Sequence, residues 1–105
     1  MPEVVRVSIL RCDPERLAEV HRMMVEAEPA LAPGIQALNG LIQFWAGADD
    51  ETSSLNSVSV WRTLDDGKQL GTFQPMLDPG KKFAERGARF ERPITNYDTL
   101  WTIEE

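Results

Sequence analysis

The stretch Asn56–Asp66, NSVSVWRTLDD, combines a strand, a large aromatic residue and a helix start. Because side chains alternate between the two faces of a strand, Ser59 and Trp61 share one face. Thr63 suits the N-cap of a following helix, and Asp66 occupies the capping-box position three residues later. A tryptophan at such a junction lies where sheet and helix diverge, so the stretch predicts a place where a pocket can open.

The composition is that of one globular domain, which we take as residues 1–105, with 42% hydrophobic and 27% charged residues. The net charge of −6 argues against binding to nucleic acid or to an anionic membrane, since both favour a basic surface. Cys12 is the only cysteine, which excludes an internal disulfide and suits a reducing compartment. No apolar stretch approaches membrane-spanning length. We expect a cytoplasmic protein.

The rest of the chain predicts alternating strands and helices. β-Branched runs indicate strands, Pro and Gly indicate breaks, and Asp13-Pro14 is typical of a helix start. In the first half of the chain we predict a strand at Val4–Arg11, a helix from Asp13-Pro14 that ends or kinks at Pro29, and a turn at Pro33-Gly34. A strand at Ile35–Gly47 with a possible bulge at Asn39-Gly40, a polar loop over residues 48–53 and the strand ending at Trp61 follow. In the last part we predict helical segments between Leu64 and Gly87, broken at Pro75 and Asp78–Gly80, and a strand at Ile94–Ile103.

This β-α-β-β-α-β order predicts an α+β, ferredoxin-like fold, in which a four-stranded antiparallel sheet carries two helices on one face. The other face is predicted to be bare. The first strand nevertheless presents apolar residues on both sides, with Val5 and Val7 on one and Val4 and Leu10 on the other. A sheet with one wet face alternates more cleanly, so the pattern predicts that a second copy of the chain covers the bare face in a homodimer.

The element order resembles the dimeric α/β-barrel superfamily, in particular its antibiotic-biosynthesis-monooxygenase-like branch. Three points carry the resemblance: the Pro33-Gly34 turn, the Ser57–Thr63 strand with its acidic helix start, and the aromatic segment Tyr97–Trp101. It implies that two sheets pack face to face across the dimer. It also implies a pocket between the sheet and the helices of each subunit.

Proteins of the family that this chain resembles have several activities. Some oxidise polycyclic phenols with oxygen and no cofactor, others degrade haem, and others isomerise or dehalogenate small molecules. Haem-degrading relatives use a tryptophan at the position of Trp61, a histidine in the second helix and an asparagine in the first strand. Here Leu64–Gly87 holds no histidine and Val4–Arg11 no asparagine. The resemblance therefore implies a cofactor-independent monooxygenase or related enzyme acting on an aromatic or phenolic molecule.

Relatives that oxidise phenolic polycycles place an asparagine and a tryptophan close together. Asn56 and Trp61 are separated by five positions, an odd number. This spacing sends their side chains to opposite faces of the strand unless a bulge intervenes.

Three residues are candidates for catalysis. His21 is the only histidine and lies at the edge of the apolar stripe of the first helix, where it could act as general base. Tyr97 and Arg6 could stabilise an oxyanion. Each has a plainer interpretation: a half-exposed helix histidine, a packed interface tyrosine, and an arginine that pairs with an internal carboxylate.

Trp61, Ser59 and Phe73 are the predicted substrate-binding residues, since an aromatic ring stacks well on a planar ligand. The alternative for Trp61 is a core residue that closes the gap between sheet and helix. One cysteine and one histidine cannot build a thiolate or imidazole metal cluster, and we predict neither metal nor cofactor. The alternative function is a non-catalytic or stress-related dimer that binds a small ligand in the same pocket.

Overall fold

The structure, a computed structural model, describes residues 2–104; the two ends of the predicted domain, residues 1 and 105, lie outside the described residues. It contains strands, α-helices and short 3-10 turns in a single sequence of elements. These are β1 (Val4–Arg11), a 3-10 turn (Pro14–Arg16), α1 (Leu17–Gln36), β2 (Leu41–Asp49), β3 (Ser54–Trp61), α2 (Leu64–Lys68), a second 3-10 turn (Gln69–Thr72), α3 (Gln74–Glu85), β4 (Arg89–Phe90) and β5 (Thr95–Asp98).

All the strands described join one antiparallel sheet in the order β2-β3-β1-β4, with β5 also paired to β1. β4 pairs with Leu10 and Arg11, whereas β5 pairs with Val4–Val7, so the two short strands together form the fourth position of the sheet. The segment α2–α3 takes the place of the second predicted helix. The predicted ferredoxin-like α+β fold is confirmed.

The junction after β3 has the predicted local structure. β3 ends at Trp61, and Thr63 is extended with its Oγ1 accepting a hydrogen bond from the backbone N–H of Asp66 at 3.1 Å. This bond satisfies one of the free donors at the start of α2. Strand β1 also has its predicted bounds.

The predicted end of the first helix is wrong. α1 continues through Pro29 and Pro33 to Gln36, so the predicted Pro33-Gly34 turn lies inside the helix. Both prolines are exposed, which lets water satisfy the carbonyl groups that lack a helical partner. Packing then outweighs local preference: Ile35 is buried against the sheet, and Gly34 accepts the ring of Phe73.

The second predicted strand is displaced for the same reason. β2 is Leu41–Asp49 rather than Ile35–Gly47, and Asn39-Gly40 forms the turn before it, with Gly40 at a φ of 74°. The irregularity in the strand pairing lies between Leu41 and Gln43 rather than at Asn39-Gly40.

The last third of the chain also differs from its prediction. α3 begins at Gln74, one residue before the break predicted at Pro75, and runs through Pro79 and Gly80 without the second predicted break. The predicted strand Ile94–Ile103 is shortened to β5, and residues 99–104 have no regular structure. Alternation of apolar residues cannot reveal where the last strand ends, because a strand also needs a paired neighbour. β1 begins at Val4, which lies opposite Asp98, so β1 offers no partner beyond that point.

The helices pack on one face of the sheet, where Val20 of α1 and Phe83 of α3 form a core with Leu10 and Leu55. The opposite face, which we call the bare face, is apolar: Val7 lies beside Val58 in the register. Within residues 2–104, no helix has the length and apolar character needed to cross a membrane.

A charged contact joins the two main helices at one end. The Arg86 Nε donates to Glu19 Oε1 at 2.5 Å, and Arg16 donates to the other carboxylate oxygen at 3.1 Å. The hydrogen bond from Arg86, followed by that from Arg16, holds the pKa of Glu19 below its usual value of 4.5.

Glu19→Gln should flatten the acid side of the stability profile. Because the folded pKa is lowered, the bridge contributes fully above the ordinary value of 4.5, and its contribution is lost as the pH falls through the folded value. Urea unfolding between neutral and acidic pH measures this, with the exposed Glu15→Gln as control. Parallel acid profiles for the native protein and Glu19→Gln would contradict the assignment.

Candidate functional site

A cleft of about 580 Å³ lies between the helices and the sheet. Its volume is within the range typical of small-molecule sites, and its lining is mainly apolar. β2 and β3 form much of its floor, α1 forms one wall, and α3 with Phe90 closes the other side.

The cleft exists because the sheet presents small side chains there. In the register, Ala46 of β2 lies beside Ser57 of β3, which lies beside Ser8 of β1, and all three line the cleft. The next row carries the larger Leu55 and Leu10, both 2% exposed and packed in the core. Small residues in one row leave room that the helices do not fill.

The walls supply hydrophobic surface and a few polar groups. The apolar residues of the walls include Met24, Leu31, Ile35, Met76 and Phe83. His21 and Glu28 line the same cleft from α1 and are exposed, two helical turns apart. Among the described residues no hydrogen bond or ion pair engages the His21 ring, which leaves both nitrogens accessible.

Trp61 does not reach the cleft. Its side chain is 0% exposed, its Nε1 donates to Ser59 Oγ at 2.8 Å, and Ser59 is itself 2% exposed. A Cβ at Gly67 would lie 3.2 Å from Trp61 Cδ1, so the helix after the strand packs directly on the indole. Trp61 and Ser59 thus fill the junction between β3 and α2, and their role in substrate binding stays a prediction.

Phe73, the third predicted substrate-binding residue, packs on α1. A Cβ at Gly34 would lie 2.7 Å from its Cζ, which places the ring against the helix backbone. Phe73 does not line the cleft, and its part in binding also stays a prediction.

The three predicted catalytic residues do not come together in one chain. Tyr97 pairs with Val5 on the bare face and is 55% exposed, while His21 lines the cleft on the other side of the sheet. Arg6 faces the helices between Ser59 and Asn96, outside the cleft lining. The catalytic roles of Tyr97 and Arg6 remain predictions.

Arg6 has an unusual environment. Partial burial, followed by the nearby positive charge of Arg92, lowers the pKa of its guanidinium below the usual arginine value. Among the described residues, no carboxylate forms an ion pair with it, so the internal partner expected from the sequence is not observed. Across the strand pair from Arg6, Asn96 Oδ1 is buried without a hydrogen-bond partner.

Asn56 lies opposite Ile9 on the bare face, whereas Ser57 enters the cleft. β1 and β3 pair without interruption from Val4 opposite Trp61 to Arg11 opposite Ser54, so no bulge in that pairing brings Asn56 to the side of Trp61. The side chains of Asn56 and Trp61 therefore point to opposite faces, as their odd spacing predicts.

Sequence reasoning missed most of the cleft floor. Ala46, Gly47 and Ala48 form a run of small residues within β2, and two of them line the cleft with their side chains. A run of such small residues in a strand indicates that side chains leave space beside the sheet, although it does not show on which face the space lies. Within the part of the chain that the structure describes, no three His, Cys, Asp or Glu residues group closely enough to hold a metal ion.

Solved structures of the same shape are numerous. No protein-family model matches the sequence, and no curated protein matches it significantly. The structure of SnoaB, a cofactor-independent oxygenase from Streptomyces nogalater, is 16% identical with a TM-score of 0.69 and 100% of each chain covered. A monooxygenase from the gene ActVA-Orf6 of Streptomyces coelicolor, in complex with nanaomycin D, is 12% identical with a TM-score of 0.72, covering 99% of this chain and 93% of that one.

A third structure, a dimeric ferredoxin-like protein from an uncultured marine organism, has a TM-score of 0.75 at 8% identity and covers 98% of this chain and 100% of its own. At these identities the likeness concerns the fold. The chain is a ferredoxin-like α+β protein with a ligand-sized cleft between sheet and helices. It shares this fold with the three solved structures named above.

Ala46→Leu should fill the cleft floor and weaken the binding of a planar apolar probe such as anthracene by about ten-fold, because a leucine side chain occupies the space left by the small row. Stability should change little, since the added methyl groups enter a void. Anthracene fluorescence and thermal unfolding measure the two effects. Ala18→Leu, at an exposed position of α1 outside the cleft lining, is the control, and equal anthracene affinity in both variants would contradict the assignment.

Proposed function

We propose that the protein binds an aromatic small molecule in the cleft and oxidises it as a cofactor-independent monooxygenase. The observation that carries the proposal is the placement of His21, which lines a mainly apolar cleft of ligand size. A mainly apolar cleft with an imidazole as potential base suits a substrate that supplies its own reducing power.

The reaction follows from the electron balance of such a substrate. His21 takes a proton from an electron-rich phenol or anthrone, and the resulting carbanion gives one electron to O₂. The two radicals combine to form a C–O bond, and the protonated His21 returns its proton to the peroxide. The resulting hydroperoxide loses water to leave a carbonyl group. One O₂ is consumed, one oxygen atom enters the product and the other leaves as water, with no external reductant.

The solved structures support this choice of reaction. SnoaB is described as a cofactor-independent oxygenase, and the Streptomyces coelicolor protein was solved with nanaomycin D bound as ligand. Both match over almost the whole of the present chain. The shared fold accommodates such a reaction, while the activity itself must rest on the residues of this chain.

Within the proposed site, we assign different roles to the residues expected from the sequence. His21 is the base. Trp61 and Ser59 stabilise the junction that holds one end of the cleft, and Phe73 fixes the end of α1 through Gly34. Arg6 and Tyr97 lie outside the cleft lining, and their roles in stabilising an oxyanion stay predictions that the step at His21 does not require.

Oxygen uptake with a panel of quinols and anthrones tests the proposal. We expect consumption of O₂ that His21→Ala lowers by at least about 100-fold in kcat, because a positioned general base contributes roughly that much. Arg22→Ala, at the next and exposed position of α1, should retain activity. Full activity in His21→Ala would remove the base, and no uptake with any member of the panel would contradict the oxygenase.

A second candidate is a binding protein without catalysis. The observation that favours it is the lack of any described group that orients the His21 ring, since a general base is usually held in place by a partner. Thermal stabilisation of the protein by aromatic ligands, without their turnover, would support this alternative.

We also propose that the bare face pairs with a second copy of the chain. Trp45 is 50% exposed there, and beyond β5 the apolar side chains of Leu100, Trp101 and Ile103 are 74–89% exposed. A monomer rarely leaves so much apolar surface in contact with water. A second copy of this chain presents the same apolar face, and the marine structure that shares the fold is described as dimeric.

Val58→Glu should convert the protein from a dimer to a monomer, because Val58 lies between Val7 and Trp45 near the centre of the bare face. Sedimentation equilibrium should give twice the chain mass of 11.8 kDa for the native protein and the single mass for the variant. Leu64→Glu, an exposed apolar position on α2, should remain dimeric. A native protein that sediments as a monomer at micromolar concentration would contradict the pairing.

A further inference from the structure

We infer that the hydroxyl groups of Ser8 and Ser57 form a two-donor site for one oxygen atom of the ligand, so that the cleft selects a polycyclic aromatic molecule with a carbonyl or phenolic oxygen on the edge facing the sheet. The inference rests on the proposed function, because it names the substrate class of the same cleft.

The two serines are adjacent by register. Ser8 of β1 lies directly opposite Ser57 of β3, and both side chains line the cleft. Directly opposed residues in an antiparallel pair have Cβ atoms about 4.5–5.5 Å apart. At that separation both hydroxyl groups can reach a single oxygen atom, and a carbonyl oxygen has two lone pairs to accept both bonds.

Neither hydroxyl group is engaged within the part of the chain that the structure describes. Among the described residues, no hydrogen bond involves the Ser8 or the Ser57 side chain, and both residues are half-buried. Ser59, two positions further along the same face of β3, differs in both respects: it is buried, and it accepts the hydrogen bond from Trp61. On the helix-facing side of β1 and β3, Ser59 therefore has a structural partner, whereas Ser8 and Ser57 face the cleft without one among the described residues.

The two hydroxyl groups have largely apolar neighbours, so the hydrogen bonds that a ligand offers them affect its affinity. Leu10 and Leu55 adjoin it in the next row of the sheet, and Ala46 flanks Ser57 on β2. When an aromatic ligand fills the cleft it removes the water that would otherwise solvate the two hydroxyl groups. A ligand with an oxygen atom at this point replaces those bonds, whereas a hydrocarbon leaves both hydroxyl groups unpaired and loses affinity.

The position of the pair also orients the ligand relative to the base. The serines lie on the sheet floor, whereas His21 belongs to the helix wall. A molecule held by one oxygen at the floor presents another edge towards α1. The selected class is thus a fused aromatic molecule with an oxygen substituent at one edge and an acidic proton at another.

Anthrone and 9,10-dihydroanthracene test the inference, because they share a tricyclic frame and differ by one carbonyl oxygen. Binding is measured by titration calorimetry without oxygen, so that no turnover intervenes. We expect the native protein to prefer anthrone by at least about 10-fold. Ser8→Ala and Ser57→Ala should each weaken anthrone binding by about 5-fold, in keeping with the usual contribution of one hydrogen bond, and the double variant by about 20-fold.

Dihydroanthracene should bind the three variants at least as tightly as the native protein, because each substitution removes a hydroxyl group that this hydrocarbon would leave unpaired. Asn56→Ala, next to Ser57 on β3 but facing the other side of the sheet, should leave both affinities unchanged and is the matched control. Ser57→Thr keeps a hydroxyl group and should retain most of the preference.

Two results would overturn the inference: an equal loss of affinity for both ligands in the double variant, which would mean that the serines act through shape, or an unchanged preference for anthrone. Failure of both ligands to bind the native protein would overturn it together with the proposed function. Binding with the expected preference but no oxygen uptake in air would support the two-donor site while removing the oxygenase.

Discussion

The register between β1 and β3 determines where the packed core, the cleft and the bare face lie. Eight consecutive pairs, from Val4 opposite Trp61 to Arg11 opposite Ser54, decide which side chains face the helices. A slip by one residue would turn every inward side chain of β3 outward, moving the Trp61 indole to the bare face and Asn56 into the cleft. Trp61 opposes such a slip because its indole N–H has a partner in Ser59 and its ring packs on Gly67.

The same register divides the inner face of the sheet into a packed part and an open part. At one end Trp61 and Ser59 fill the space below α2, and at the other Leu10 and Leu55 pack on Phe83. Between them the row of Ala46, Ser57 and Ser8 is too small to meet the helices. A ligand-sized cleft results from three short side chains, and no helix has to move to create it.

Sequence alone predicted the elements whose signals are local. The alternation in β1 and β3, the Thr63 cap and the odd spacing of Asn56 and Trp61 depend on neighbouring residues only. The path of α1 through Pro29 and Pro33 depends instead on Ile35 packing against the sheet and on Gly34 meeting Phe73, contacts far apart in sequence. The position of the cleft also depends on contacts between distant residues. The sequence therefore predicts Trp61 as a pocket wall, whereas the structure buries Trp61 and places the cleft beside small residues.

The proposed function requires that an aromatic ligand binds between the helices and the sheet. Methyl-resolved NMR during titration with anthrone measures this binding, since methyl groups report on both faces of the sheet. We expect shifts at cleft-lining methyl groups, those of Met24, Leu31, Leu55 and Met76, with Val7 and Val58 unaffected. Shifts confined to Val7, Val58 and the Leu100–Ile103 segment would contradict it.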